Sequence, residues 1–374
     1  MVILVEDLKN ACNKALKAVD SNTLSTVTET LELTTQGNDL NLNITNKEYY
    51  LRVIVPTDSD VSLHASVNAN SFLKLITQTT TEMVELDVVD NNLVVKGNGV
   101  YKIPLIYDGE ELLKLPEIKL NNITHEFNIS TDILRSMLNY NSKELTKGFV
   151  TNPVQKLYYM DSKGAITFTS SACVNSFMLP EDVKLLFNSR LVKLFTLFDT
   201  DTVAFSLSEE PNEDGTTTTK VMFSEDSMEL SAILSSNESL ISSVPVEAIR
   251  NRSNENYPYT VSVSRSELLQ TINRLSLFTS KTGDYDICYC TFKFGKDSVS
   301  IEGNDGGVKE NLTYKDNNVI DGLEDTYNAL FDINDIKSVT EMFNAPYINI
   351  SFGNEQAIVV SCGNIKNIIP QCEE

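Results

Sequence analysis

Apolar side chains fall into two alternating rhythms along this chain. Six stretches space them three and four residues apart, which lines one face of a helix. These are Leu8, Ala11, Cys12, Ala15, Leu16 and Val19; Phe72, Leu75 and Ile76; and Ile133, Leu134, Met137, Leu138 and Leu145. The rest are Leu191, Leu194, Phe195 and Phe198; Leu268, Ile272, Leu275 and Phe278; and Ile336, Val339 and Phe343. The spacing predicts helices over 5–19, 69–81, 131–145, 188–198, 264–279 and 332–344. Asn70, Thr131, Ser189 and Asp332 offer N-caps, and Ser264 with Glu267 has the capping-box spacing.

Between the helices the period drops to two, with turn residues as punctuation. Leu40, Leu42 and Ile44 follow Gly37-Asn38, and Val84, Leu86 and Val88 precede Asp90-Asn91-Asn92. Ile166 and Phe168 follow Lys163-Gly164, and Val299 and Ile301 follow Gly295-Lys296-Asp297. Ile348, Ile350 and Phe352 lead into Gly353-Asn354, with Ile358 and Val360 beyond. From helix start to central turn the intervals alternate, about thirty then about twenty residues, three times over. A β-α-β-β-β unit repeated six times and paired long with short gives three similar α+β domains. Each sets two helices on one side of its strands. Seams near Leu115-Pro116-Glu117 and Val244-Pro245 set the domains at 1–118, 119–245 and 246–374.

Charge complicates any role with nucleic acid. The net is −22, and proteins that grip phosphates by bulk attraction are usually basic. The charge is not spread evenly, however. The six predicted helices together carry +3, which leaves −25 on the remainder. Lys9, Lys14, Lys17, Lys74, Arg135, Lys143, Arg190, Lys193, Arg265 and Arg274 sit mostly off the apolar stripes, so they are expected to face away from the core. The sixth helix, with Asp332, Asp335 and Glu341 against Lys337, departs from the trend.

Little in the sequence suggests catalysis. It contains neither a phosphate-binding Gly-x-x-x-x-Gly-Lys-[Ser/Thr] loop nor a Gly-x-Ser-x-Gly elbow. The only histidines, His64 and His125, have no zinc-type spacing to Cys288 and Cys290. The six scattered cysteines read as reduced thiols. No catalytic residue, metal or cofactor is expected. The acidic pairs Glu110-Glu111 and Glu209-Glu210 are uninformative in so acidic a chain. No apolar run is long enough to cross a bilayer, and the start lacks a basic leader, so a cytoplasmic, membrane-free protein is expected.

Four segments resemble the bacterial DNA polymerase III beta subunit, the sliding-clamp family. Leu115-Pro116-Glu117-Ile118 resembles its first-domain ending, and Leu157-Tyr158-Tyr159-Met160 a paired-tyrosine strand in its second domain. Arg274-Leu275-Ser276-Leu277-Phe278-Thr279 resembles the end of a third-domain helix, and Ile368-Ile369-Pro370-Gln371 the apolar-apolar-Pro tail. The layout matches over the whole chain, while identity is low. Two stretches depart from the pattern: Ser170-Ser171-Ala172-Cys173-Val174 stands where the family has Thr-Asp-Gly-His-Arg, and Ser21-Asn22-Thr23 where it carries a basic residue.

The resemblance implies a head-to-tail homodimeric ring whose helices line a hole for duplex DNA. The basic residues above, with Tyr158, would face the duplex. A replicative polymerase and a clamp loader would insert a hydrophobic peptide into a pocket formed by Met160, Ser170, Ala172, Cys173, Val174, Leu240, Ile241, Val244, Ile369 and Pro370. The ring would close where Leu277 and Phe278 of one copy meet Ile103 and Leu105 of the next. Encirclement also reconciles an acidic chain with DNA, because topology then replaces tight phosphate contact. The competing reading is an acidic, β-rich structural or assembly protein, such as a phage or surface component.

Overall fold

A computed structural model describes residues 1–19, 25–57, 61–142, 152–279, 287–303 and 307–372. One β-α-β-β-β unit recurs six times. The first unit holds β1 (Val2–Leu4), α1 (Val5–Ala18), β2 (Thr30–Gln36), β3 (Asp39–Thr45) and β4 (Tyr49–Pro56). The second holds β5 (His64–Asn68), α2 (Ala69–Gln78), β6 (Met83–Val89), β7 (Asn92–Lys96) and β8 (Val100–Pro104). The third holds β9 (Ile123–Ser130), α3 (Thr131–Ser136), β10 (Leu157–Asp161), β11 (Gly164–Phe168) and β12 (Ala172–Ser176). The fourth holds β13 (Lys184–Asn188), α4 (Ser189–Leu194), β14 (Thr202–Pro211), β15 (Thr217–Glu225) and β16 (Met228–Leu234). The fifth holds β17 (Tyr259–Ser264), α5 (Arg265–Leu275), β18 (Tyr289–Phe294), β19 (Ser298–Gly303) and β20 (Lys309–Thr313). The sixth holds β21 (Tyr327–Asp332), α6 (Ile333–Met342), β22 (Tyr347–Asn354), β23 (Ala357–Cys362) and β24 (Ile365–Pro370).

All six predicted helices are present, with different ends. Asn68, not Asn70, caps α2 by accepting from the Ser71 N–H at 3.0 Å, while Ser264 and Asp332 cap α5 and α6 as expected. Thr131 lies inside α3 and turns its hydroxyl to the Thr200 carbonyl instead of capping. After Ser136 the backbone widens into a π turn, Met137–Asn141, and the predicted end of that helix lies outside the described residues. Two short helices, Glu238–Ser242 and Val246–Ser253, went unpredicted because their few apolar residues make no repeating stripe.

Every strand pairing is antiparallel, and units exchange their first strands in pairs. β1 joins β6-β7-β8 of the second unit, while β5 joins β2-β3-β4 of the first. The third and fourth units trade β9 for β13, and the fifth and sixth trade β17 for β21, in the same way. Six half-sheets of four strands result. Each begins with a borrowed strand and ends on the last strand of its own unit. Two joins between last strands, β4 to β16 and β12 to β24, produce two eight-stranded sheets.

The chain divides into two compact units, Met1–Leu134 with Arg190–Asn237 and Arg135–Ser189 with Glu238–Glu374. In the first, α1 packs against α2 through residues such as Leu8, Cys12, Phe72 and Ile76, all fully buried. Phe195, Phe205 and Phe223 form an aromatic cluster with centroids 4.9 and 5.1 Å apart. In the second, α5 and α6 cover a core in which Phe294 stacks on Phe352 at 4.0 Å. Each fully buried phenylalanine contributes about 2 kcal/mol.

Candidate functional site

Each helix buries its apolar stripe and turns the opposite one outward, and there the fates of the basic residues diverge. Lys17, Lys74, Arg190 and Lys193 are exposed, while Lys9 and Arg135 are half-buried. Lys14 is drawn sideways, its Nζ 2.8 Å from the Asp199 carboxylate and 3.2 Å from Glu225. Burial alone would raise the Glu225 carboxyl, but the Thr200 N–H and hydroxyl, Ser227 and Lys14 outweigh it and hold it below the usual carboxylate range. Arg265 donates to the Thr340 and Glu341 carbonyls at 3.0 and 3.2 Å, satisfying the last turn of α6. Arg274 is held by Glu310, with Nε at 2.7 Å. Lys143 lies outside the described residues.

Tyr158 does not reach the surface. It is 1 % exposed, opposite Phe187 in the β10–β13 ladder, and burial pushes its phenol pKa up. A side chain so enclosed cannot face a duplex.

The residues expected to form a peptide pocket split between two faces of one sheet, because neighbouring residues of a strand point opposite ways. Ala172 and Val174 lie on the outer face, with Val244 and the half-buried Leu240 and Ile241 packed over them from the connecting helices. Met160, Cys173 and Ile369 point to the other, helix-covered face and are fully enclosed, so they are core residues and no part of a surface groove. Ser170 and Pro370 are exposed at the rim. The same outer face also carries Tyr159, Ala357, Val359 and Ile368, which the resemblance did not supply. Stepping by two from Val174 and across the ladder would have found them: Val174 lies opposite Ile166, Ile166 opposite Tyr159, and Ala172 opposite Ile368.

At one end of this face a cavity of about 450 Å³ opens between Tyr159 and Lys163 on the sheet and Ile241, Val246 and Arg250 on the connecting helices. Its floor is an ion pair. Arg250 reaches both Asp161 oxygens at 2.8 and 2.6 Å, and Asp161 also accepts from the Tyr159 hydroxyl and the Lys163 N–H. Burial would raise the Asp161 carboxyl, but the Arg250 guanidinium and these donors hold it below the ordinary range. Tyr159, Ile241 and Val246 are its apolar lining; the rest is polar or charged, with Asp182, Lys184 and Glu247 beside the ion pair.

Among the described strands, two half-sheets have last strands paired on one side only. Among the described strands, none pairs with the outer edge of β8 or of β20. On β8, Val100 is 66 % and Tyr101 40 % exposed, whereas Ile103 is turned inward at 8 % and Leu105 is half-buried. Ile103, expected at an interface, is thus buried within the chain itself, and Val100 and Tyr101 are the exposed apolar residues of that strand. Leu277 and Phe278, just beyond α5, are 77 % and 61 % exposed, as an interface would require.

No family model and no curated protein sequence matches this chain. Solved structures do. A DNA polymerase III subunit beta from Pseudomonas aeruginosa superposes with a TM-score of 0.81 at 12 % identity, covering 100 % of this chain and 99 % of that one. The Bacillus subtilis DNA polymerase sliding clamp gives 0.77 at 14 % identity, covering 100 % and 98 %. The Thermotoga maritima DNA polymerase III beta subunit gives 0.75 at 14 %, covering 100 % and 99 %. The fold is that of a DNA sliding clamp. At such low identity the likeness is one of fold, and few side chains are shared. Its site residues must therefore be read from the geometry of this chain.

Proposed function

We propose that this chain is a DNA sliding clamp, a non-catalytic processivity factor that encircles duplex DNA and tethers a replicative polymerase. The observation that carries this reading is the sheet count. Among the described strands, four of six last strands find partners at both edges within the chain, and the two left over, β8 and β20, are the same element of the repeat. A second copy related head to tail would join β8 to β20 twice, closing the ring and removing its open edges. The exposed Val100, Tyr101, Leu277 and Phe278 would then be buried at those joins.

The exchange of first strands within pairs supports three domains at 1–118, 119–245 and 246–374, since each pair is completed only by its sibling. Polymerase and loader would dock by an apolar peptide on the outer face around Val174, Val244 and Ile368, beside the Asp161–Arg250 pair. A net charge of −22 suits a protein that holds DNA by topology and works in the cytoplasm, where its partners supply the specific contacts. Among the described residues no helix is long and apolar enough to cross a membrane.

The test is negative-stain imaging with sedimentation at micromolar concentration. Closed dimeric rings with a hole wide enough for a duplex are expected. Lattices, fibres or compact particles without a hole would replace this reading with that of an acidic assembly protein.

A further inference from the structure

We infer that the segment between the second and third repeats, residues 105–122, is a strap that locks the β4–β16 join, so that the half-sheets on either side of it move as one body. The strap and every residue it touches belong to the first compact unit. The lock does not depend on ring closure, which would involve β8 and β20.

The sheet face under the strap carries a polar row. Ser66, Glu32, Asn43, Arg52 and Glu229 stand opposite one another on β5, β2, β3, β4 and β16. Ser66, Glu32 and Asn43 are buried, Glu32 at 7 % exposure, and a glutamate is seldom buried without partners. The strap supplies one, while His64 holds the other Glu32 oxygen at 3.0 Å. The Leu113 carbonyl accepts from Ser66 Oγ, the Leu115 N–H donates to Glu32 Oε2 at 3.2 Å, and Glu117 accepts from Arg52 Nη2 at 2.6 Å. Residues 113, 115 and 117 therefore follow the row in steps of two. Four residues of extended chain reach about 13 Å, and three strand spacings span about 14 Å, so the strap runs across the strands.

A chain laid across a sheet cannot enter its ladder, so its backbone groups need side-chain partners. Beyond the join the same arrangement continues. The Lys119 carbonyl accepts from Lys220 Nζ at 3.1 Å. The Asn121 N–H donates to Glu210 at 3.2 Å, and the Asn122 N–H to Ser208 Oγ at 3.3 Å. One anchor thus holds β5, β2 and β4, the other holds β14 and β15, and the β4–β16 join lies between them. Leu113 and Leu115 are buried as well, at 8 % and 6 % exposure, so the first anchor is packed down and not merely tethered. Splaying β16 away from β4 would have to break one anchor or the other.

The test is hydrogen exchange read by mass spectrometry on the full chain. The Ile54 and Ile233 amides report on the join, since they donate across it to the Ser227 and Glu48 carbonyls at 2.9 Å. One variant, Glu32→Ala with Glu117→Ala, releases the first anchor; another, Glu210→Ala, releases the second. Neither removes a residue of the β4–β16 ladder. Both are expected to speed exchange at Ile54 and Ile233 about tenfold, with the amides of β3 unchanged. A control, Glu110→Ala with Glu111→Ala in the exposed hairpin at the start of the strap, should leave the join as in wild type. Unchanged exchange at Ile54 and Ile233 in the release variants would make the strap a passenger and overturn the inference. An equal rise throughout β3 would also overturn it, because the loss would then be one of the whole sheet.

Discussion

The β4–β16 and β12–β24 joins and the open edges of β8 and β20 are built from the same element of the same repeat, yet they end differently. At β4–β16, Arg52 lies directly opposite Glu229 and bonds it at 2.7 Å, with Glu117 on its other nitrogen. Near β12–β24 the helix-covered face is polar. Asn175 donates to Ser136 at 2.7 Å, and Asn141 to the Thr167 hydroxyl at 3.2 Å. The Arg52–Glu229 pair crosses its join and is satisfied in one register only, whereas the Asn175 and Asn141 bonds tie the sheet to α3 and the turn after it. The open edges differ from each other. β8 exposes the apolar Val100 and Tyr101, whereas β20 exposes Lys309, Asn311 and Thr313 and ties Glu310 to Arg274 and Thr271.

The largest effect should come from the open side. Leu277→Lys with Phe278→Lys is expected to convert the dimer to monomer, halving the sedimented mass while leaving the circular dichroism unchanged. A dimer of undiminished affinity would remove these residues from the interface.

Next come the closed sheets, where damage should appear as lost stability and not as lost assembly. Asp161→Ala leaves the Arg250 guanidinium half-buried without its partner and should cost about 3 kcal/mol at neutral pH by urea unfolding. Because the native Asp161 carboxyl sits below its ordinary value, its contribution is complete above the unfolded value of about 4 and fades as pH falls through the native one. Wild type and variant should therefore converge in acid. A gap that persists well below pH 3 would mean the loss is one of packing.

The smallest effect is expected at β4–β16. Arg52→Ala should destabilise by about 1 kcal/mol, because the side chain is partly exposed and salt screens its pairs. Raising the salt should shrink the difference. A loss of several kcal/mol would show that this pair holds the register of the whole sheet.

Much of the fold was legible because each helix must bury a stripe of its own residues, and that stripe is local information. Partner choice is not local. The first-strand exchange depends on which edge a strand finds after the intervening chain has folded, and nothing in Val2–Leu4 points to β6 rather than β2. Charge pairing was hidden for the same reason. Lys14 meets Glu225 from 211 residues away, and Arg265 meets Thr340 from 75, so outward-facing cations in the sequence became fixed ones in the structure. The residues expected to form a pocket were drawn by position along the strands, which mixes the two faces of one sheet. Cys173 and Ile369 sit one residue from Ala172 and Ile368, and that single step crosses the sheet.

The strand order also sets a timetable for synthesis. β4 must wait for β16, about 170 residues later, and β12 for β24, nearly two hundred residues later. At ribosomal speed each delay is about 10 to 40 seconds, during which the earlier strand stands as a bare edge on a nascent chain. The interval is long enough for stray pairing with a neighbouring chain on the same message. A pause or a bound chaperone between the two strands of either join would therefore be expected to affect yield.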